Sequence, residues 1–275
     1  MLEGSEINQF QEIVWEHYRA HQRKNLPWRQ NIDDINFGYR VLVSEMMLQQ
    51  TQVNRVVDKF NQWMERFPTI SSLANAGFDE VLGAWSGLGY NRRARYLQET
   101  AIILLNEFDG HIPREVSRLV ELPGIGQATA AAIIVYAFNL PLVFIETNIR
   151  TVFIHHFFPD STQVSDAQLV SLIEQSMDKE NPREWYWALM DYGSFLKQSV
   201  GNISKNSKHY KKQSKFEGSA RQLRGSVLKL LLIQERTLRD LQENTFFDER
   251  LETILATLER EKLIKKTGVK YIIYQ

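Results

Sequence analysis

Apolar residues recur at helical spacing along almost the whole chain, and this periodicity is the feature that most constrains the fold. Segments such as "INQFQEIVWEHYRAH" and "RRARYLQETAIILLNEF" place apolar side chains three or four positions apart, which is the spacing of one face of an α-helix. Short breaks with Pro, Gly or Asp separate these segments, as in "RFPT" and "DGHIPREV", and such breaks are typical of turns. The pattern predicts a mostly α domain over residues 5–200.

The composition narrows the classes of function. The 275 residues are 43% hydrophobic, and 33 Lys/Arg balance 33 Asp/Glu, so binding to nucleic acid would need local basic patches. The chain has no cysteine, which excludes disulfides and thiolate-ligated zinc or iron–sulfur clusters. Neither a signal-peptide pattern nor an apolar run of about 20 residues is present. We therefore expect a cytoplasmic protein without membrane association.

The composition changes after residue 200. Residues 205–224 carry seven Lys/Arg against one Glu, as in a linker or a basic rim. Beyond them, three helical segments are followed by "KLIKKTGVKYIIY", which alternates like a hairpin that turns at Thr267–Gly268. This order predicts a winged-helix-like domain over residues 213–275. Its third helical segment, residues 247–261, has five acidic residues against two Arg, which favours packing or protein contact over insertion into a DNA groove.

Two glycines interrupt the helical pattern in "ELPGIGQATA", residues 121–130. In a helix interior Gly124 and Gly126 would each cost about 1 kcal/mol relative to alanine, so they predict a turn. The helix that resumes after the turn has unpaired backbone N–H groups in its first turn, which suit an anion. The segment resembles the helix–hairpin–helix element, which grips a DNA phosphate with backbone amides. The resemblance implies a monovalent cation at the backbone of Leu122 and Ile125.

Four more motifs extend this resemblance to a family. They are "LPWR" (26–29), "SEMMLQQTQV" (44–53), "GLGYNRRARYL" (87–97) and "ALMDYGS" (188–194). With "LPGIGQATA" they resemble, in order and spacing over residues 20–197, the MutY-like adenine DNA glycosylases of the helix–hairpin–helix (endonuclease III) superfamily. The resemblance implies a two-lobe fold. One lobe comprises residues 1–29 and 146–212, a helical barrel comprises residues 30–145 with the hairpin at 122–126, and the winged-helix-like domain follows.

The resemblance assigns two catalytic carboxylates. Glu45 matches the acid that protonates the departing adenine and then helps water to attack the sugar, and a placed acid contributes roughly 10²–10⁴ in rate. Its apolar neighbours in "VLVSEMMLQQ" would raise its pKa. The second carboxylate is an aspartate in a D-x-N-x-[KR] context in the family, whereas this chain has Glu146, with Asn148 and Arg150 in register. Glutamate keeps the charge that an electrostatic role needs, but a misplacement of about 1 Å can cost 100-fold, so both outcomes stay open.

Four positions bear on the base and on the type of reaction. Relatives that also cut the strand carry a lysine two positions after the hairpin, where this chain has Ala128. Alanine cannot form a Schiff base, so we expect a monofunctional hydrolase. Trp187 stands where adenine-specific members carry Glu or Gln, which puts adenine specificity in question. We expect the base pocket to include Trp28, Arg29, Ala128 and Trp187.

The resemblance also assigns residues to DNA contact. Gln49 and Tyr90 match the residues that fill the hole left by an extruded nucleotide. A basic cluster beside Tyr90 suits the phosphates that flank such a nucleotide. The expected DNA contacts are Gln49, Gln50, Thr51, Tyr90, Arg92, Arg93, Arg95, Gly124, Gly126, Gln127, Arg150, Lys205, Lys208, Lys211 and Lys212.

The family's four-cysteine iron–sulfur loop would follow "ALMDYGSFL", but Lys197 occupies its first position and residues 198–212 contain no cysteine. We therefore expect a clusterless, monomeric member without a cofactor apart from the hairpin cation, and double-stranded DNA as its partner. The leading hypothesis is hydrolytic removal of a mispaired base, adenine first, from duplex DNA in base excision repair. Two alternatives stay open: a glycosylase of shifted specificity (mismatched thymine or uracil, or a deaminated purine) and a non-catalytic module that binds DNA damage.

Overall fold

The computed structural model describes residues 4–210, 212, 215–245 and 249–275; Lys211, one of the expected DNA contacts, lies outside them. The described residues contain fourteen α-helices and one small sheet, which confirms the predicted mostly α class. The helices of the first 200 residues are α1 (Gly4–His21), α2 (Phe37–Leu48), α3 (Val53–Arg66), α4 (Ile70–Ala74), α5 (Phe78–Trp85), α6 (Arg92–Glu107), α7 (Val116–Leu119), α8 (Gln127–Phe138), α9 (Thr147–Phe157), α10 (Asp166–Ser176) and α11 (Pro182–Ser199).

The C-terminal segment has the predicted winged-helix-like order of elements. Its strands form an antiparallel sheet in the order β1-β3-β2, and the β2–β3 turn lies at residues 268–269, within one residue of its predicted place. The elements are α12 (Ala220–Ile233), β1 (Arg236–Thr237), α13 (Leu238–Asn244), α14 (Leu251–Arg260), β2 (Ile264–Thr267) and β3 (Lys270–Ile273). None of the described helices is long and apolar enough to cross a membrane.

The chain folds into two compact units, and each unit is made of three segments that are not contiguous in the sequence. The division passes through α2, and it places the hairpin tip and the C-terminal segment in the second unit. The lobe limits inferred from the sequence lie elsewhere and stay a prediction. Unit 1 comprises Met1–Val41, Arg114–Val120 and Ile125–Lys212, and unit 2 comprises Leu42–Pro113, Glu121–Gly124 and Gln213–Gln275.

The core of unit 1 forms where α9 packs on α11. A side chain at Gly193 of α11 would place its Cβ 2.3 Å from the backbone oxygen of Asn148, so only glycine allows this approach. The segment that leads into α9 is held as well, because the rings of Phe144 and Tyr186 stack with centroids 4.1 Å apart. These contacts fix the start of α9, which is the place of the predicted second catalytic carboxylate.

The core of unit 2 is built from α2 to α6. Its largest fully buried side chains include Phe60, Trp63, Leu82 and Trp85, and the two indole rings meet edge-on with centroids 5.6 Å apart. Burial of such large apolar surfaces is the main stabilising contribution to a helical fold of this size. The core supports one end of α2, on which the predicted catalytic acid lies.

Candidate active site and nucleic-acid interface

Glu45 lies on α2 in an apolar setting. Its neighbours along the helix, Ser44, Met46 and Met47, are at most 2% exposed, whereas Glu45 itself is half-buried. A carboxyl group at the edge of such a core is accessible to a ligand and is still partly shielded from water. The sequence predicted apolar surroundings for Glu45, and its role as a proton donor stays a prediction.

The two glycines of the hairpin separate α7 from α8, as predicted. Gly124 has φ +77°, and a Cβ there would lie 2.7 Å from Cδ2 of Tyr96 and 3.0 Å from Cε of Met46, so both the backbone and the packing require glycine. The Gln49 amide nitrogen donates to the Gly124 carbonyl at 3.3 Å. The hairpin tip is therefore tied, within unit 2, to the end of the helix that carries Glu45.

The helix after the hairpin begins as the sequence predicted. Gly126 is the N-cap of α8, and Gln127 and Ala128 of its first turn are exposed. Leu122 and Ile125 have buried side chains, and the monovalent cation at their backbone stays a prediction. The described residues contain no group of three His, Asp or Glu that could hold a metal ion.

Arg93 has a structural role and not the DNA contact that the sequence predicted. Its guanidinium is buried, and its donors reach oxygens at 2.7–3.4 Å within unit 2. The acceptors are the carbonyl oxygens of Met46, Met47, Gln49, Leu88 and Gly89 and the hydroxyl of Thr51. Several of these carbonyls belong to the C-terminal end of α2, where a cation is favourable. Arg93 therefore positions the turn after α2 and cannot at the same time bind a DNA phosphate.

Gln50 and Tyr90 follow the two turns that Arg93 holds, and both have left-handed backbone angles, with φ +55° and +47°. Such a conformation of a non-glycine residue costs about 1–3 kcal/mol and is often found at functional sites. Tyr90 is also contacted by the C-terminal segment, because Arg221 Nη1 donates to its hydroxyl at 3.0 Å. The sequence showed Arg221 as one of the seven Lys/Arg of residues 205–224 but gave it no individual role.

The other two arginines of "YNRRARY" differ in exposure. Arg92 has a side chain that is 53% exposed, and it lies 4.9 Å over the ring of Tyr96 and 3.8 Å from Glu261. Arg95 is only 16% exposed; it pairs with Glu99 at 2.9 Å and lies 4.9 Å from the centroids of two aromatic rings. The structure therefore leaves Arg92 as a surface cation and makes Arg95 a packing residue, which corrects its expected role in DNA contact.

In unit 1 a buried ion network joins "LPWR" to "MDYGS". Asp191 is 3% exposed and accepts two hydrogen bonds from Arg29 at 2.9 Å and two from Arg23 at 2.6 and 2.9 Å. Burial alone would raise the pKa of Asp191, but the bonds and charges of Arg29 and Arg23 outweigh it and hold this pKa below its ordinary value. Arg29 is thus a structural clamp, and its place in the base pocket is corrected accordingly.

The aromatic residues expected in the base pocket are packed side chains of unit 1. Trp28 and Trp187 are 7% and 8% exposed. The Trp187 ring lies 5.3 Å from the Arg29 guanidinium carbon and is nearly parallel to the ring of Tyr136, with 6.4 Å between centroids. Arg29 is held by Asp191 and therefore also helps to fix the position of the Trp187 ring.

Glu146 is the N-cap residue of α9, but its side chain makes no capping hydrogen bond. Burial raises the pKa of Glu146, and Arg150 opposes this only in part. The Arg150 guanidinium instead donates to both oxygens of Asp166 at 2.8 Å, so its expected role in phosphate contact is corrected to an ion pair between α9 and α10. Asn148 lies half-buried in the first turn of α9. A half-buried carboxylate with a raised pKa is typical of a functional group.

The residues in the place of the cysteine loop do not fit an iron–sulfur cluster, because the sequence supplies no thiolate. The segment is held by its backbone instead. Val164 N–H donates to Asn206 O at 2.9 Å and Lys208 N–H to Val164 O at 3.0 Å, which forms an isolated parallel bridge between Val164 and Ser207. Lys205, Lys208 and Lys212 are exposed, and their contact with DNA stays a prediction.

Comparisons with known proteins show which families the chain is similar to. Residues 43–175 match the family described as HhH-GPD superfamily base excision DNA repair protein. The chain is 46% identical over 132 residues to an adenine DNA glycosylase of Mycolicibacterium smegmatis, covering 48% of this chain and 44% of that protein. It is 34% identical over 191 residues to the enzyme of that name from Buchnera aphidicola, covering 68% and 52%. For the human enzyme the values are 38% over 182 residues, covering 63% and 33%.

Solved structures give the same fold at low identity. A thermostable thymine-DNA glycosylase superposes with a TM-score of 0.59 at 21% identity, covering 69% of this chain and 87% of that one. Endonuclease III in a non-covalent complex with DNA gives 0.59 at 17% identity, covering 72% and 89%. The aligned part spans about half or less of the curated relatives' length. Residues 43–175 are therefore similar to the HhH-GPD superfamily of base excision DNA repair proteins, and the chain is similar to the MutY-like adenine DNA glycosylases.

Proposed function

We propose that this protein is a monofunctional DNA glycosylase that removes a mispaired base, adenine first, from duplex DNA by hydrolysis. The observation that carries the proposal is the arrangement on α2. Glu45 lies among buried neighbours, and Gln49, one turn further, is hydrogen-bonded to the hairpin tip at Gly124. An acid for the base and a residue for the vacated stack thus lie four positions apart, the first on α2 and the second directly after its end. The names of the curated relatives support adenine as the base.

Glu45 supplies the proton that this chemistry needs. A neutral purine is a poor leaving group, so protonation of its ring nitrogen assists cleavage of the N-glycosidic bond. The carboxylate that remains then accepts a proton from the attacking water. Ala128 offers no amine to the sugar, so water is the nucleophile and the DNA strand stays intact.

Glu146 stabilises the positive charge that develops on the sugar. Because burial raises the pKa of this carboxyl, its ionised form is under-compensated before the reaction, and a nearby cation stabilises it. A fixed group that meets charge only in the transition state is the arrangement that lowers a barrier most effectively. Glutamate thus takes the role of the family's aspartate, and the chemistry proceeds without an iron–sulfur cluster.

A second candidate is a glycosylase of shifted specificity, and Trp187 favours it. Its indole is packed beside Arg29 and Tyr136, and indole cannot accept a hydrogen bond from the exocyclic amine of adenine. On this candidate the base would be a mismatched thymine or uracil, or a deaminated purine.

The test is a panel of duplexes that carry A, T, U or hypoxanthine opposite each normal base and opposite 8-oxoguanine, with strand cleavage scored after alkali. Release of adenine supports the first candidate, and release of another base supports the second. No release from any duplex, together with tight and selective binding, would show a non-catalytic module instead. Products should stay intact until alkali is added, and borohydride should trap no adduct; a trapped adduct would contradict the monofunctional reaction.

A further inference from the structure

A cleft of about 960 Å³ lies within unit 2, and both predicted stack-filling residues line it. One side consists of the turn after α2, the loop after α5 and the start of α6, with Gln49, Tyr90 and Arg92. The other side is α12 of the C-terminal segment, with Arg221 and Arg224. Every lining residue belongs to unit 2.

The charge of the cleft differs from that of the chain. The chain is formally neutral, but the lining contains six Lys/Arg and a single acid. The acid, Glu261, pairs with Arg224 and lies 3.8 Å from Arg92, so one carboxylate serves two of the cations. The six are Arg55, Arg92, Arg93, Arg221, Arg224 and Lys229. Arg93 is already engaged by protein oxygens, so at most five of them remain for a ligand. Such an excess in a concave surface attracts a polyanion.

Aromatic rings lie among these cations. Tyr90, Tyr96 and Phe216 line the cleft, and Phe216 is 59% exposed. Arg221 lies 5.6 Å from the centroid of the Tyr90 ring. Cations beside aromatic rings are the usual surface for an unpaired nucleotide, because the base stacks and the phosphate meets the cations. Phe216 is the exposed ring of the three, whereas Tyr90 and Tyr96 are partly buried.

The backbone adds an independent observation. Two of the residues with left-handed backbone angles, Gln50 and Tyr90, line this cleft, and Arg93 holds the turns that precede both. The protein thus maintains strained conformations at the cleft, as is common at binding sites.

We infer that this cleft binds the DNA strand opposite the extruded nucleotide, with the unpaired base against Tyr90 and Phe216 and the flanking phosphates on Arg221 and Lys229 of α12. The C-terminal segment is therefore part of the DNA-binding surface. From the sequence, the acidic α14 argued against insertion of this segment into a DNA groove. In the structure α14 supplies no lining residue of the cleft apart from Glu261, just after its end. The inference deepens the proposed function and rests on it.

The test uses Arg221→Ala, with Arg239→Ala as the matched control. Arg239 belongs to the same C-terminal segment, is 86% exposed and pairs with Glu243 on α13, and it does not line the cleft. The probe is a duplex with 2-aminopurine opposite a non-hydrolysable abasic nucleotide. The affinity is measured over a range of salt concentrations, and quenching of 2-aminopurine reports stacking of the opposite base.

We expect Arg221→Ala to bind about tenfold more weakly at low salt and to lower the slope of log K against log salt by about 1, since one phosphate contact is lost. Quenching should fall as well, whereas Arg239→Ala should behave as wild type and Arg221→Lys should restore most of the slope. Equal affinity of Arg221→Ala and Arg239→Ala, with equal quenching, would overturn the inference. Tighter binding by Arg221→Ala would also overturn it and would show that Arg221 shields Tyr90. Failure of the proposed function would appear separately, as absence of base release by the wild-type protein.

Discussion

A buried charge in each unit, Arg93 in unit 2 and Asp191 in unit 1, is compensated in a different way. In unit 2 the Arg93 cation is surrounded by neutral carbonyl and hydroxyl oxygens, and burial lowers its pKa to about 10. In unit 1 the Asp191 anion is surrounded by two cations, Arg23 and Arg29, which hold its pKa below its ordinary value. One charge is compensated by dipoles and the other by opposite charges.

The difference shows what the family motifs do in this chain. Arg93 fixes two turns that carry predicted DNA contacts, whereas the Asp191 ion pairs hold together two segments of unit 1 that are distant in sequence, "LPWR" and "MDYGS". Both charged groups are structural, although the sequence predicted that Arg93 contacts DNA and that Arg29, a partner of Asp191, lines the base pocket. The carboxyl group proposed to act in the reaction in unit 1 is Glu146, whose pKa is raised instead of lowered.

The largest effect on stability is expected from Asp191→Asn. The substitution leaves Arg23 and Arg29 without their carboxylate, and loss of one partner of a buried ion pair costs about 3–5 kcal/mol. Because the folded pKa of Asp191 lies below its ordinary value of 3.8, its contribution is present above that pH and is lost as the pH falls through the folded pKa. Denaturant unfolding at pH 7 and at pH 3 measures both effects. Asp160→Asn, at an exposed position, is the control, and an equal effect of the two variants would remove Asp191 from the account.

Glu146→Gln should slow base release while it stabilises the fold. Loss of one preorganised electrostatic partner costs about 2–4 kcal/mol in the barrier. The folded pKa of Glu146 is raised above its ordinary value of 4.5, so its contribution to stability is lost as the pH rises through the folded pKa. The amide of glutamine does not titrate, so the variant should gain stability over wild type above that pKa. Single-turnover rates and denaturant unfolding together test the prediction.

Glu146→Asp sharpens the same comparison. If the site is built for glutamate, the shorter side chain should lower the rate despite its equal charge. A large gain in rate would show that the wild-type protein is impaired at this step. Wild-type rates in both variants would exclude a role of Glu146 in the reaction.

Arg93→Lys should have a smaller effect on stability, about 1–3 kcal/mol, because an ammonium keeps the charge but cannot reach all six acceptors. We expect weaker binding of duplex DNA as well, since the turns that carry Gln50 and Tyr90 lose their support. The control is Arg66→Lys, an exposed arginine of α3 that pairs with Glu80. Unchanged affinity, despite the lost stability, would separate the scaffold from the DNA surface and contradict the positioning role.

Much of the fold follows from local patterns. Helical periodicity predicted the α class, and the glycines predicted the turn before α8, because spacing and backbone preference act over a few residues. The roles of Arg29, Arg93 and Arg150 could not be predicted in this way. A motif shows that a cation is present but not whether its acceptor is a phosphate, a carbonyl or a carboxylate up to 162 residues away, as for Arg29 and Asp191. The proximity of α12 to Tyr90 is likewise a tertiary contact across 131 residues.

The most direct test of the central claim is single-turnover base release by Glu45→Gln from a duplex with a mispaired adenine, beside wild type and Glu65→Gln. Glu65 is an exposed residue of α3 and controls for the loss of one carboxylate in the same unit. The account predicts that Glu45→Gln lowers the rate by about 10²–10⁴, with duplex affinity within a few-fold of wild type and full activity in Glu65→Gln. A wild-type rate in Glu45→Gln, from a protein that does release the base, would remove Glu45 from the mechanism and contradict the account.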